Sequence, residues 1–277
     1  MSNRELGNTE YDQFREFLEH QCGIVLGENK LYLVKSRLAP LMNQFNIDSL
    51  SELVKKSMQF SERALRSAVL DAMTTNETLW FRDVYPFELL KNRIFPDFKD
   101  LKRPLRIWSA ASSSGQEAYS IGMSFLEYKS KNPGHLTQGL DIVGTDISNK
   151  VLEQSKKAEY DGLALARGLT PERQKRFFEP ADDKKMRVKA EVTKMVSFRH
   201  LNLLDSYTLL GKFDIVFCRN VLIYFSPENK KKILTQIRSS LQPHGYLMLG
   251  ASESISGLNE DFEMIRCNPG ILYRRKT

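Results

Sequence analysis

The sequence predicts an α/β fold built on a parallel sheet, with an all-helical domain in front of it and a small β-rich insertion inside it. Three observations carry this reading. In the first 75 residues apolar positions recur at spacings of three and four. From about residue 104, short apolar runs alternate with helical stretches, as in a sheet covered by helices. Residues 162–200 break that rhythm with an alternating apolar run of their own.

Each element has a local reason. Tyr11, Phe14 and Leu18 share one helix face, and Leu31, Val34, Leu38, Leu41 and Phe45 share another. Ser49-Leu50-Ser51-Glu52 has the form of a capping box, whose hydroxyl and carboxylate satisfy the free amides of a first turn, so a third helix starts there. A fourth is expected over 62–73, with Leu65, Val69 and Met73 inward. Residues 1–75 are thus assigned to a helical domain, 76–103 to a linker and helix contributing to the functional site, and 104–277 to the α/β domain. Strands are expected at 105–110, 141–145, 213–218 and 246–250. Within the insertion, Thr170-Pro171-Glu172 marks a short helix start, and Met186, Val188, Ala190 and Val192 read as a strand. The tail folds back as a hairpin around Asn268-Pro269-Gly270.

Composition narrows the function classes. Apolar residues make up 41% and charged residues 27% of 277, ordinary for a globular chain with a buried core. Cys22, Cys218 and Cys267 are too widely spaced for a zinc cluster or a redox pair, so no metal is expected and a reducing cytoplasm fits. The start, Met1-Ser2-Asn3-Arg4-Glu5, lacks the apolar core of a signal peptide, and no apolar run approaches a membrane span. The net charge of +7 is uneven: residues 1–75 hold nine Lys/Arg against ten Asp/Glu, residues 162–200 ten against five. A local acidic partner accounts for that as well as a polyanion does.

The candidate chemistry lies where strands end. The turn after the first strand, Ala110-Ala111-Ser112-Ser113-Ser114-Gly115-Gln116-Glu117, is made of small residues that let a ligand approach the backbone at a helix start. The second strand ends in Gly144-Thr145-Asp146, placing a carboxylate where it can accept both hydroxyls of a ribose. The third delivers Cys218-Arg219-Asn220 at the edge where open α/β sheets bind ligands. A tight turn, a capping Asp and a charge-pairing Arg are the plain alternatives to each of these residues taken singly.

In order along the chain, the segments Thr74-Thr75-Asn76-Glu77-Thr78-Leu79-Trp80-Phe81-Arg82, Trp108-Ser109-Ala110-Ala111-Ser112-Ser113-Ser114-Gly115-Gln116-Glu117, Gly144-Thr145-Asp146-Ile147, Leu201-Asn202-Leu203-Leu204 and Phe217-Cys218-Arg219-Asn220-Val221-Leu222-Ile223-Tyr224-Phe225 resemble the CheR-type chemotaxis receptor methyltransferases, over nearly the whole chain. The resemblance implies a Rossmann-like fold binding S-adenosylmethionine (AdoMet), with S-adenosylhomocysteine as product, and transfer of methyl groups to receptor glutamates. It implies a cofactor site of Asn76, Thr78, Arg82, Glu117, Asp146, Asn202, Leu203, Arg219 and Asn220, and we expect Arg82 and Tyr224 to orient the acceptor carboxylate. It further implies docking of the helical domain on the receptor's cytoplasmic helical bundle, to which Lys30 and Arg37 could contribute, and a receptor tail peptide as a possible tether on the insertion. Where the family reads Thr-Gly-Glu-Glu-Pro-Tyr-Ser, this chain has Gln116 and Ala118, which puts any role of the first carboxylate in doubt. Two other readings are a methyltransferase for another protein, nucleic acid or small molecules and a non-catalytic AdoMet-binding signalling module. An Asn/Asp-Pro-Pro-Tyr/Phe motif after the third strand, frequent in base-modifying enzymes, is missing here, as is the aromatic and basic interleaving suited to single strands.

Overall fold

The computed structural model describes residues 6–276, so the polar start from Met1 to Glu5 lies outside the described residues. Two compact units form: residues 1–75 with 224–230, and residues 76–223 with 231–277. The short segment 224–230 groups with the helices and not with the α/β domain, to which its place in the sequence assigns it.

The helical unit contains α1 (Asn8–Cys22), α2 (Leu31–Gln44), α3 (Leu50–Ser57) and α4 (Arg63–Met73). Their inward faces are the periodic ones: Tyr11, Phe14 and Leu18, then Val34, Leu38 and Leu41, then Leu65, Val69 and Met73 are buried. Ser49 caps α3, its side chain accepting from the Glu52 amide at 3.2 Å. Gly23 ends α1 in the left-handed conformation with φ 76°, which glycine adopts without strain. Arg37 donates to the carbonyls of Met73 (2.6 Å) and Thr74 (3.2 Å), closing the end of α4.

The other unit contains ten strands among the described residues: β1 (Leu105–Ala110), β2 (Leu140–Asp146), β3 (Glu159–Tyr160), β4 (Phe178–Pro180), β5 (Met186–Val188), β6 (Val196–His200), β7 (Phe213–Cys218), β8 (Leu241–Leu249), β9 (Phe262–Arg266) and β10 (Ile271–Arg275). Seven form one sheet in the order β6-β2-β1-β7-β8-β10-β9; β3, β5 and β4 form a separate small sheet. Strands from β6 to β8 pair in parallel, and the terminal hairpin adds β10 and β9 antiparallel. Parallel strands covered on both faces need apolar side chains throughout, and all six residues of β7, Phe213-Asp214-Ile215-Val216-Phe217-Cys218, are buried. The exception, Asp214, is neutralised by a two-pronged Arg103 pair at 2.6 and 2.7 Å. Among the described residues, no helix is long and apolar enough to cross a membrane.

Two expectations about the insertion need correction. Val196–His200 was placed inside it but is β6 of the main sheet, paired in parallel with β2 from Ile142↔Val196 to Asp146↔His200. As an edge strand it is only half-covered, so its sequence lacks the continuous apolar run of its neighbours. The expected strand through Val192 stops at Val188, and Ala190–Thr193 turns into a helix. Val188 and Val192 are both buried, and their four-residue spacing suits a helical turn as well as alternation does. Thr170 does cap a helix at Pro171, accepting from the Arg173 amide at 3.3 Å.

Candidate active site

Parallel pairing brings β1, β2 and β7 to one edge together, since Ala110 is in register with both Thr145 and Cys218. The loops that leave there carry most of the candidate residues. The turn after β1 is tight: Ala111 (φ 55°) and Ser113 (φ 50°) are left-handed, and Gly115 has φ 94°. A Cβ on Gly115 would lie 2.9 Å from the Ser155 Cβ and 3.1 Å from the Phe198 ring, so glycine is required there. Gln116, which stands where the family has a carboxylate, is buried and accepts from the Ser114 hydroxyl at 2.8 Å, closing the turn.

Two linked polar sets line this edge. In the first, the Asp146 carboxylate accepts from the amides of Ser113 (2.8 Å) and Ser148 (3.0 Å). The Ser113 hydroxyl donates to the Asn76 carbonyl at 2.9 Å, and the Leu201 amide donates to the Asp146 carbonyl at 3.0 Å. Asn76, Asp146 and the Asn202-Leu203 turn are thereby tied to one another, and Asn202 fixes its own turn by accepting from the Leu204 amide at 3.1 Å.

In the second set Glu117 accepts from the Ser109 hydroxyl at 2.7 Å and from Arg219 Nη1 at 2.9 Å. Arg219 Nη2 donates to Asp83 Oδ2 at 2.7 Å and to the Arg82 carbonyl at 2.8 Å. Only 1% of the Arg219 side chain is exposed, so these are strong, poorly screened contacts. Burial pushes the neighbouring Cys218 thiol well above its usual range, and the carboxylates of Glu253 and Glu117 push it further, so it is a packing residue and not a nucleophile.

Within the segment 76–84, the turn at 81–84 is held under backbone strain. Phe81 (48°), Asp83 (67°) and Val84 (55°) all have positive φ, an uncommon state for residues with a Cβ. The insertion helps to hold it. The Trp80 amide donates to the Arg167 carbonyl, and Gly168 (φ 103°) lies so close that a Cβ would fall 2.0 Å from the Trp80 oxygen. Arg173 stacks on the Phe81 ring at 3.6 Å while pairing with both oxygens of Glu127. Desolvation pushes the Glu127 carboxyl up, but Arg173 and Lys91 outweigh it and hold the group below the usual carboxylate range. Arg82 itself is half-buried, with Nη1 on the Glu77 carbonyl at 3.1 Å. Thr78 is half-buried on the same segment.

Tyr224 alone among the candidates groups with the helical unit, where its carbonyl accepts from the Val25 amide at 2.9 Å. Reading the sequence missed Ser109, Asp83 and Glu253. The signal for Glu253 was available: an acid three residues beyond Gly250, just past a strand end, obeys the same rule that singled out Asp146.

The donor set suits AdoMet. A carboxylate beyond β1, Glu117, and one at the end of β2, Asp146, can accept from two hydrogen-bond-donating parts of that molecule, its ammonium group and its ribose diol. Ser112 Oγ and Arg219 Nε are buried atoms without a hydrogen-bond partner among the described residues, so unused hydrogen-bonding capacity lies beside these carboxylates. Fold and donor set together define an AdoMet-dependent methyltransferase. Residues 9–74 match the CheR methyltransferase all-alpha domain and residues 76–271 the CheR methyltransferase SAM binding domain, so the chain belongs to the CheR methyltransferase family. It is 57% identical over 271 residues to the chemotaxis protein methyltransferase of Vibrio parahaemolyticus, covering 98% of each chain. It is 54% identical to chemotaxis protein methyltransferase 1 of Pseudomonas aeruginosa (97% and 98% covered) and 30% identical to the Escherichia coli protein (94% and 89%).

Proposed function

We propose that this AdoMet-dependent chemoreceptor methyltransferase esterifies the side-chain carboxylates of receptor glutamates in the cytoplasm. The observation that carries the reading is Arg82: a cationic side chain on a strained segment whose backbone is fixed, through its own carbonyl, to the Arg219–Glu117 pair. A guanidinium so anchored can meet an acceptor carboxylate with two hydrogen bonds and counter its charge. A glutamate side chain, with a pKa near 4.3, is already ionised at neutral pH, so no general base has to be built. AdoMet, when bound, supplies a methyl group on a sulfonium that passes to a nucleophile, the C–S electron pair staying on sulfur and no proton moving.

The chain's own residues bind and align. Asp146 accepts from the ribose hydroxyls, Glu117 faces the ammonium group, and Asn202 and Leu203 hold the adenine through amide and backbone groups. Asn76, Thr78, Arg219 and Asn220 complete the lining. Alignment of this kind can contribute about 7–11 kcal/mol to a bimolecular transfer. Tyr224 is assigned with Arg82 to the acceptor. The helical unit docks on the receptor bundle. The small sheet supports a tether reading, because its outer strands β3 and β4 each pair with β5 alone among the described residues and can accept an added peptide strand.

Incubation with methyl-labelled AdoMet and a receptor cytoplasmic fragment, followed by mild base, tests the acceptor. Volatile methanol is expected. Base-stable label would move the acceptor to nitrogen or carbon, and AdoMet binding without transfer would make the chain a signalling module.

A further inference from the structure

We propose that Glu253 is a positioning residue for the cofactor site, acting as a carboxylate clamp that holds Arg219 and Asn220 in place. Cys218 and Leu249 are paired in register, so the loops after β7 and β8 leave the sheet side by side. Glu253 spans them. Its Oε2 accepts from the amides of Asn220 (2.7 Å) and Gly250 (2.8 Å), and its Oε1 from the amide of Val221 (3.0 Å). Three amide donors on one carboxylate make a charge-assisted set, stronger than neutral turn bonds.

The clamp fixes the loop's conformation. Asn220 has φ 57°, a left-handed state that asparagine reaches more readily than other residues with a Cβ, and the Glu253 bonds to its amide and to that of Val221 hold the loop there. The fit is close at Gly250 as well: a Cβ there would lie 2.7 Å from Asn220 Nδ2, 2.8 Å from Glu253 Oε2 and 2.9 Å from the Asn220 amide nitrogen. Glycine is therefore set by the approach of the clamp, and the turn is closed by the Glu253 amide on the Gly250 carbonyl at 3.0 Å. Arg219, one bond upstream of the clamped Asn220 amide, is the residue that pairs with Glu117 and Asp83. The inference rests on reading Arg219 and Asn220 as cofactor-lining residues.

Full-length Glu253→Gln and Gly250→Ala test it. The first removes the charge and sets an amide group against a backbone N–H; the second keeps the charge and wedges the clamp open. In the ligand-free protein, amide exchange at Asn220 and Val221 is expected to quicken about tenfold or more in both variants, with a fall of only a few degrees in melting temperature. AdoMet affinity by calorimetry should fall about tenfold while KM for the receptor fragment stays the same. Unchanged AdoMet affinity in both variants overturns the proposal, as does a loss matched by a raised receptor KM and a large fall in melting temperature, which would mean general destabilisation. Asn220→Ala separates the two levels: if it also leaves affinity intact, the cofactor-site reading falls and takes this inference with it; if it weakens binding while the Glu253 and Gly250 variants do not, only the clamp is wrong.

Discussion

The helical unit and the α/β unit use their polar side chains over different distances along the chain. In the helical unit such groups mostly finish nearby structure: Ser49 caps α3 and Arg66 closes its end on the carbonyls of Ser57 and Met58, while Arg37, reaching 36 residues to the end of α4, is the exception among these. In the α/β unit Arg219 joins Glu117 and Asp83 across separations of 102 and 136 residues. The first kind of bond completes an element that local pattern already specifies. The second exists only once the sheet has been assembled, and it is where the candidate chemistry lies.

The largest expected effect follows from breaking the long-range hub. Arg219→Met leaves Glu117 and Asp83 without their shared cation; because Asp83 is partly exposed, the cost falls below the full buried-pair range, at about 2–3 kcal/mol. Denaturant unfolding measures it, and a loss below about 1 kcal/mol would show that the pairs behave as solvated ones. Next comes Asp146→Ala, which should weaken AdoMet about 10- to 100-fold in calorimetry, as expected for losing charge-assisted hydrogen bonds. Unchanged affinity would remove the ribose assignment.

Smaller effects are expected in the helical unit. Arg37→Ala frees the carbonyls at the end of α4 and should lower stability by about 1–2 kcal/mol in thermal unfolding. A surface arginine serving only a partner would show no such loss. The smallest effect concerns Glu10, whose carboxyl is held down to about 2, against an ordinary 4.5, by hydrogen bonds from Lys55, Ser51 and the Gly7 amide. Its contribution is fully present above pH 4.5 and is lost as pH falls towards 2. The unaltered chain should therefore lose more stability over that interval than Glu10→Gln does, and parallel acid titrations followed by circular dichroism would check it.

Legibility divides along the same line. Helices α1 to α4, the caps at Ser49 and Thr170, strands β1, β2 and β7, and the terminal hairpin could all be drawn from periodicity and turn residues. Strand β6 could not, because a half-covered edge strand resembles a loop in composition, and the helix at Ala190–Thr193 was hidden by a spacing shared with alternation. For the site, strand-end position was enough to single out Asp146, Glu117 and Arg219. It gave no sign that Glu117 and Arg219 pair with each other, that Asp83 completes their hub, or that Tyr224 groups with the helices.

By itself, then, the sequence determined the class of elements, their order and the kind of residue at each strand end, since these depend on interactions within a few residues. The tertiary structure decided which of those ends meet. A carboxylate such as Glu253 reaches Gly250 within its own turn, but it can hold Asn220 and Val221 only after β7 and β8 lie in register, because hydrogen bonds act over about 3 Å while those groups stand 33 and 32 residues from it along the chain.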